Sequence, residues 1–257
     1  MHTASYLIAV VLGLALTLVA VPAQAETTAC SPITSLPATI TVQGIYCFTQ
    51  HLSTSMTSGN AIEIDTNNVI LDLNGWKLGG LAAGAGTNAI GIHAFNRQNI
   101  TIKNGTVRGF LIGIRLEGSG SASQGHVVED IRADQNTFIG IEGAGDGILI
   151  RNNQVVATGG TTCCGTNIVA YGVVAQFGTG SRVLNNDVID VQKQGSGTAW
   201  GIFLGGVSGG LAVNNRITNA DVGIDFSNGG STGKYRDNLT TNVGTPFSGG
   251  TAVGTNN

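Results

Sequence analysis

Residues 91–118 read GIHAFNRQNITIKNGTVRGFLIGIRLEG. Two Gly-Ile pairs, Gly91-Ile92 and Gly113-Ile114, each open a run in which apolar and polar residues alternate. Between them Ile100-Thr101-Ile102 forms a second short run, closed by Asn104. A period of two is the mark of a strand with one face buried. The same opening recurs at Gly140-Ile141, Gly172-Val173, Gly201-Ile202 and Gly223-Ile224, so the glycines step by 22, 27, 32, 29 and 22 residues. A second strand follows each of them and ends at an amide or carboxylate: Asp130, Asn153, Asn186, Asn215 and Asn238, with Asn74 closing an earlier one.

Self-similarity at this period indicates a repeat architecture. Propeller blades of the WD40 kind need about 40 residues, leucine-rich repeats need leucines at fixed spacings, and helical repeats need a 3.6 period that is absent. A coiled β-solenoid remains, in which each strand stacks on its equivalent about 4.8 Å away. Proline agrees: the four prolines are Pro22, Pro32, Pro37 and Pro246, and the intervening stretch 38–245 has none. Strands bonded on both sides exclude a residue without an N–H. The expected organisation is all-β and single-domain, with about seven coils over 55–245 between an N-terminal cap (26–54) and a C-terminal tail (246–257). Corner asparagines Asn104, Asn153, Asn186 and Asn215 are expected to stack as structural amides.

Composition bounds the function. Only 11% of the 257 residues are charged, 40 are glycine, and the net charge is -3, which leaves no basic surface for a phosphate backbone. A hydrophobic content of 42% excludes a disordered chain. Residues 1–25 combine an apolar run from Tyr6 to Val21 with Ala23-Gln24-Ala25, the A-x-A form of a signal-peptidase site, so a secreted or periplasmic location is expected. No later segment spans a membrane. Cys30 and Cys47 are close enough in sequence to close one loop as a disulfide that seals the cap; adjacent Cys163 and Cys164 form a vicinal disulfide or stay reduced. No spacing suits a tetrahedral metal site, and no cofactor is expected.

The phrases NVILDLNG (68–75), GIHAFNRQNITIKNGTVRGF (91–110) and GIRLEG (113–118) resemble those of exported bacterial right-handed parallel β-helix repeat proteins of the pectate-lyase-like superfamily. The resemblance implies that fold and a polysaccharide or cell-envelope glycan as partner. It does not carry a reaction with it. The polygalacturonase set is missing, with Gly125-His126 as its only fragment; the alginate-epimerase D-P-H-D cannot occur where there is no proline; and no acidic cluster for a pectate-lyase calcium site assembles.

What remains is a surface column. If Ile92, Ile114 and Ile141 point inward, His93, Arg115 and Glu142 point outward from successive coils, followed by Val174, Phe203 and Asp225. Two positions further along, Phe95, Glu117 and Gln176 lie beside them. In the catalytic reading Arg115 holds a uronate carboxylate while His93 or Glu142 moves a proton, and Phe95, Glu117, Gln176 and Phe203 contact the sugar. In the structural reading the same column is a solvated charge ladder. The function expected is therefore glycan binding or an envelope structural role, with a lyase-like or hydrolase-like enzyme acting on an acidic polysaccharide as the alternative.

Overall fold

The computed structural model describes residues 29–118, 120–163 and 165–257. They form an all-β parallel solenoid of about eight turns, with helix confined to two short 3-10 segments, Leu81–Ala83 and Gly120–Ala122. Among the described residues the strand ladders are parallel and join equivalent residues of successive coils, and an isolated antiparallel bridge links Ile168 and Gln194. Ile62, Ile92, Ile114, Ile141, Val173, Ile202 and Ile224 stack in one column, each at most 1% exposed. Six of the seven are the column expected from the repeat. Ile62 belongs to an additional coil, in which Ala61 stands where the others have glycine.

The ladder also runs further than 55–245. Ser31–Ile33 pairs with Gly44–Phe48, and Thr251–Ala252 pairs with Gly233–Arg236, so the segments read as cap and tail contribute strands of their own. Pro32 and Pro246 both sit in strands with a partner on one side only, where the missing N–H costs no ladder bond. Cys30 and Cys47 are disulfide-bonded with their Cα atoms 5.7 Å apart, which staples the start of the chain to the following strand. Cys163 is also disulfide-bonded, while Cys164 lies outside the described residues. The leader expected at 1–25 lies outside them as well. Among the described residues no helix is long and apolar enough to cross a membrane.

The repeated glycine has a steric cause that also decides which way its neighbours face. Ile112 lies in an outward apolar cluster and Ile114 in the main core, although they are two positions apart in one strand, Ile112–Glu117. The chain therefore breaks its alternation at Gly113, as at a bulge. A Cβ on Gly113 would come within 2.6 Å of the Gly140 carbonyl oxygen, and one on Gly91 within 2.4 Å of the Gly113 carbonyl oxygen. Adjacent coils approach too closely there for any side chain.

Three of the four expected amides form a ladder. Asn153, Asn186, Asn215 and also Asn238 are at most 2% exposed, and each of the first three passes its backbone N–H and Nδ2 to the Oδ1 of the next at 2.9–3.0 Å. Asn104 is elsewhere: it takes a left-handed conformation (φ 57°) and donates to the Asp72 carboxylate.

A buried histidine makes the fold acid-sensitive. His126 Nδ1 accepts from the Ile100 N–H at 3.3 Å, which leaves Nε2 to donate to Ser123 Oγ at 3.0 Å, and Ser123 in turn donates to the Ala144 carbonyl. This order fixes the neutral tautomer and leaves the serine hydroxyl without a base. Burial lowers the His126 pKa from 6.5 to about 4, partly offset by a backbone bond near Arg97. Because the folded value lies below the unfolded one, the unfolded chain binds more protons between them. Stability should be full above pH 6.5 and fall by roughly 3 kcal/mol as the pH drops to about 4. Urea titrations across that range check it; His126→Gln should flatten the slope.

Candidate functional site

The outward column assembles in the expected register. Glu63, His93, Arg115, Glu142, Val174, Phe203 and Asp225 are successive partners on neighbouring coils. Phe95 pairs with Glu117, and Gln176 follows one step beyond the coil of Ala144.

Six of these positions join in one polar network. His93 lies between two carboxylates, with Nδ1 2.9 Å from Glu63 and Nε2 3.0 Å from Glu117. Its ring can donate to both at once only as an imidazolium. Asn60 donates to the same Glu63 oxygen. Arg115 bridges onward, its Nη2 2.7 Å from Glu117 and its Nε 2.9 Å from Glu142 Oε2. The second contact is between charges only, since neither atom makes a hydrogen bond. Gln176 Nε2 donates to the other Glu142 oxygen at 2.6 Å. The result is a continuous chain Glu63, His93, Glu117, Arg115, Glu142, Gln176 across five coils.

Glu142 is the most constrained of them. Its side chain is 3% exposed, and that burial pushes its pKa above the usual carboxylate range. The Arg115 charge at 2.9 Å and the bond from Gln176 oppose the shift, while the Glu117 charge adds to it. A carboxyl in this setting holds a proton to higher pH than a solvated glutamate.

Sequence reading missed the other wall of the site. The break at each glycine turns Ile90, Ile112, Ile139, Tyr171 and Trp200 outward, one beside the next. Phe138 and Leu111 pack against them. Tyr171 and Trp200 stack at 4.9 Å with 10° between their planes, and Trp200 Nε1 donates to Asp225 at 3.1 Å. The signal was present, since an apolar or aromatic residue precedes every repeat glycine, but simple alternation assigns that position to the wrong face. Between the two walls lies a cavity of about 360 Å³, bounded on one side by Arg115, Glu142 and Gln176 and on the other by Ile112, Phe138 and Tyr171.

Phe203 does not stand where a sugar platform would. It is 7% exposed and packed against Tyr171 and Trp200, so it closes the floor of the apolar wall. Phe95 is 53% exposed at the edge of the same face. On the second strand of the coils a separate row forms a charge ladder: Asp72 pairs with Lys103 and Glu129 with Arg151, in register and away from the cavity. A larger hollow of about 790 Å³ lies at a different corner, beside Asp190, Asn219, Asp221 and Asn242. Its polar groups are already bonded to one another, Asn219 to Asp190, Asn242 to Asn219 and Lys193 to Asp221.

No family model matches the chain, and no curated protein matches it. Among solved structures it is similar to three, all of phage tailspike proteins. The enzymatically active domain of tailspike protein 2 from bacteriophage CBA120 is 13% identical with a TM-score of 0.40, over 85% of this chain and 39% of that one. Full-length tailspike protein 2 from Escherichia coli O157:H7 bacteriophage CAB120 is 14% identical with a TM-score of 0.39, over 85% of this chain and 35% of that one. The Dettilon tailspike protein is 10% identical with a TM-score of 0.42, over 86% and 60%. This chain thus spans less than two thirds of each.

Proposed function

We propose that the outward face built by strands Ile90–Phe95, Ile112–Glu117, Ile139–Ala144 and Ala170–Thr179 binds a glycan. The observation that supports it is the two-walled cavity, with hydrogen-bonding groups at Arg115, Glu142 and Gln176 opposite an apolar surface at Ile112, Phe138 and Tyr171. A sugar ring presents the matching pair of surfaces, hydroxyls at its edge and C–H groups on its faces. A secreted or periplasmic location would put the site where such polymers occur.

Charge narrows the class. Arg115 is already shared between Glu117 and Glu142, and His93 between Glu63 and Glu117. Glu63, Glu117 and Glu142 already occupy the one guanidinium and the one imidazole, so a uronate would meet no unpaired cation. The site suits neutral or amino sugars, which departs from the acidic polysaccharide suggested by the residue types alone.

Glu142 favours a second reading on top of binding. A buried carboxyl whose pKa burial raises, beside a sugar-sized cavity, can act as general acid toward a glycosidic oxygen. Purified protein should be tested on arrays of immobilised neutral, amino and uronate oligosaccharides, with new reducing ends and unsaturated products followed in parallel. The expected result is retention of a neutral or amino glycan. Loss of product release in Glu142→Gln with binding kept would support hydrolysis, and retention without product would leave a binding module. Retention of uronates alone would overturn the charge argument, and no retention at all would overturn the site.

A further inference from the structure

At one corner of the coil a large aromatic occupies a backbone conformation that favours glycine. Phe177 has φ 55° and is 59% exposed. Among the described residues sixteen non-glycine positions have positive φ; ten are Asn, three are Asp, and the others are Gln135, Ala157 and Phe177. Asn and Asp tolerate the left-handed region through short polar side chains, which phenylalanine cannot do.

Neighbouring coils show what the corner prefers. Ala144 pairs with Gln176 and Gln176 with Gly205, so the next residues, Gly145, Phe177 and Gly206, occupy equivalent places. Both flanking glycines also have positive φ, 124° and 66°. A Cβ on Gly206 would lie 3.2 Å from Phe177 Cδ1, so the ring rests against the glycine backbone of the next coil in space that a side chain would take. Phe177 thus carries an unfavourable backbone and leaves more than half of its surface in water. The contact with Gly206 offsets little of this, and strain kept for so little packing marks functional positions.

Its position relates it to the cavity. Phe177 directly follows Gln176, whose amide holds Glu142. Phe95, the other exposed phenylalanine, lies three coil steps away, roughly 14 Å along the axis at about 4.8 Å per coil. The stacked rings of Tyr171 and Trp200 cover each other's faces and offer mainly their edges to the cavity.

We infer that Phe177 is a stacking platform for a pyranose ring at the rim of the site, and that Phe177 and Phe95 bracket a glycan lying along the solenoid axis. This rests on the glycan-binding reading. The C–H face of a neutral or amino sugar would lie on the exposed ring, while its neighbours in the chain reach Gln176 and Glu142.

Two readouts on Phe177→Gly test it: the melting temperature and retention on the oligosaccharide array described above, with Phe177→Trp measured beside it. Glycine relieves the backbone and keeps the fold, so the melting temperature should hold or rise. Affinity should fall on the order of tenfold, the size of one lost stacking contact, and Phe177→Trp should keep it. Affinity equal to the parent in Phe177→Gly would overturn the platform and leave the cavity reading standing. A melting temperature that falls together with affinity would show a structural role and also overturn it. A parent protein that retains no glycan would overturn both.

Discussion

Ile114→Asp should lower the free energy of unfolding by on the order of 5 kcal/mol, enough to leave much of the chain unfolded at room temperature. Ile114 is fully buried, stacked between Ile92 and Ile141, and no cation faces it in the aliphatic interior. Its neighbour behaves differently. Arg115→Ala removes a side chain that is 33% exposed, but it also strips the nearly buried Glu142 of its counter-charge. The expectation from alternation alone is no loss at that position. The structure changes it to about 2 kcal/mol at neutral pH, shrinking as acid protonates Glu142. Urea titrations of both variants at pH 7 and pH 5 check the contrast, and equal losses would show that the facing of the column is wrong.

Asn186→Leu should cost roughly 4 kcal/mol, although the substitution puts an apolar side chain into an interior. Asn186 Oδ1 accepts from both the backbone N–H and the Nδ2 of Asn153, and its own Nδ2 reaches Asn215 Oδ1 and the Ile150 carbonyl. Leucine would leave those groups buried without partners, in coils on either side of the mutation. Asn104→Gly, by comparison, keeps the left-handed backbone, releases only the two Asp72 contacts at a part-buried corner and should cost about 1 kcal/mol. Thermal denaturation of the pair separates them; similar losses would mean that the ladder is dispensable.

The fold and half of the site were legible because both follow from a period-two pattern repeated on a coil. Once Ile92, Ile114 and Ile141 are placed inward, His93, Arg115 and Glu142 must be neighbours, and so they are. Glu63 escaped because its coil carries Ala61 in place of the marker glycine, so the partner of His93 Nδ1 was not in the pattern. The apolar wall escaped because the chain bulges at the glycine, which reverses the facing of Ile112, Ile139, Tyr171 and Trp200 relative to strict alternation. Phe203 follows the alternation and points outward, yet that wall covers it. Burial of an outward residue depends on what its neighbours across coils bring, and no local pattern contains it.

Trp200 offers the most direct test of the glycan site, because it lies in the apolar wall while the other tryptophan, Trp76, packs edge-on against His51 outside that wall. In a Trp76→Phe protein all tryptophan emission comes from Trp200. Titration with the neutral or amino oligosaccharide that the array retains should shift that emission, saturating at the midpoint found by calorimetry. Calorimetric binding with the emission of Trp200 unmoved would contradict the account and place the glycan on another face of the solenoid.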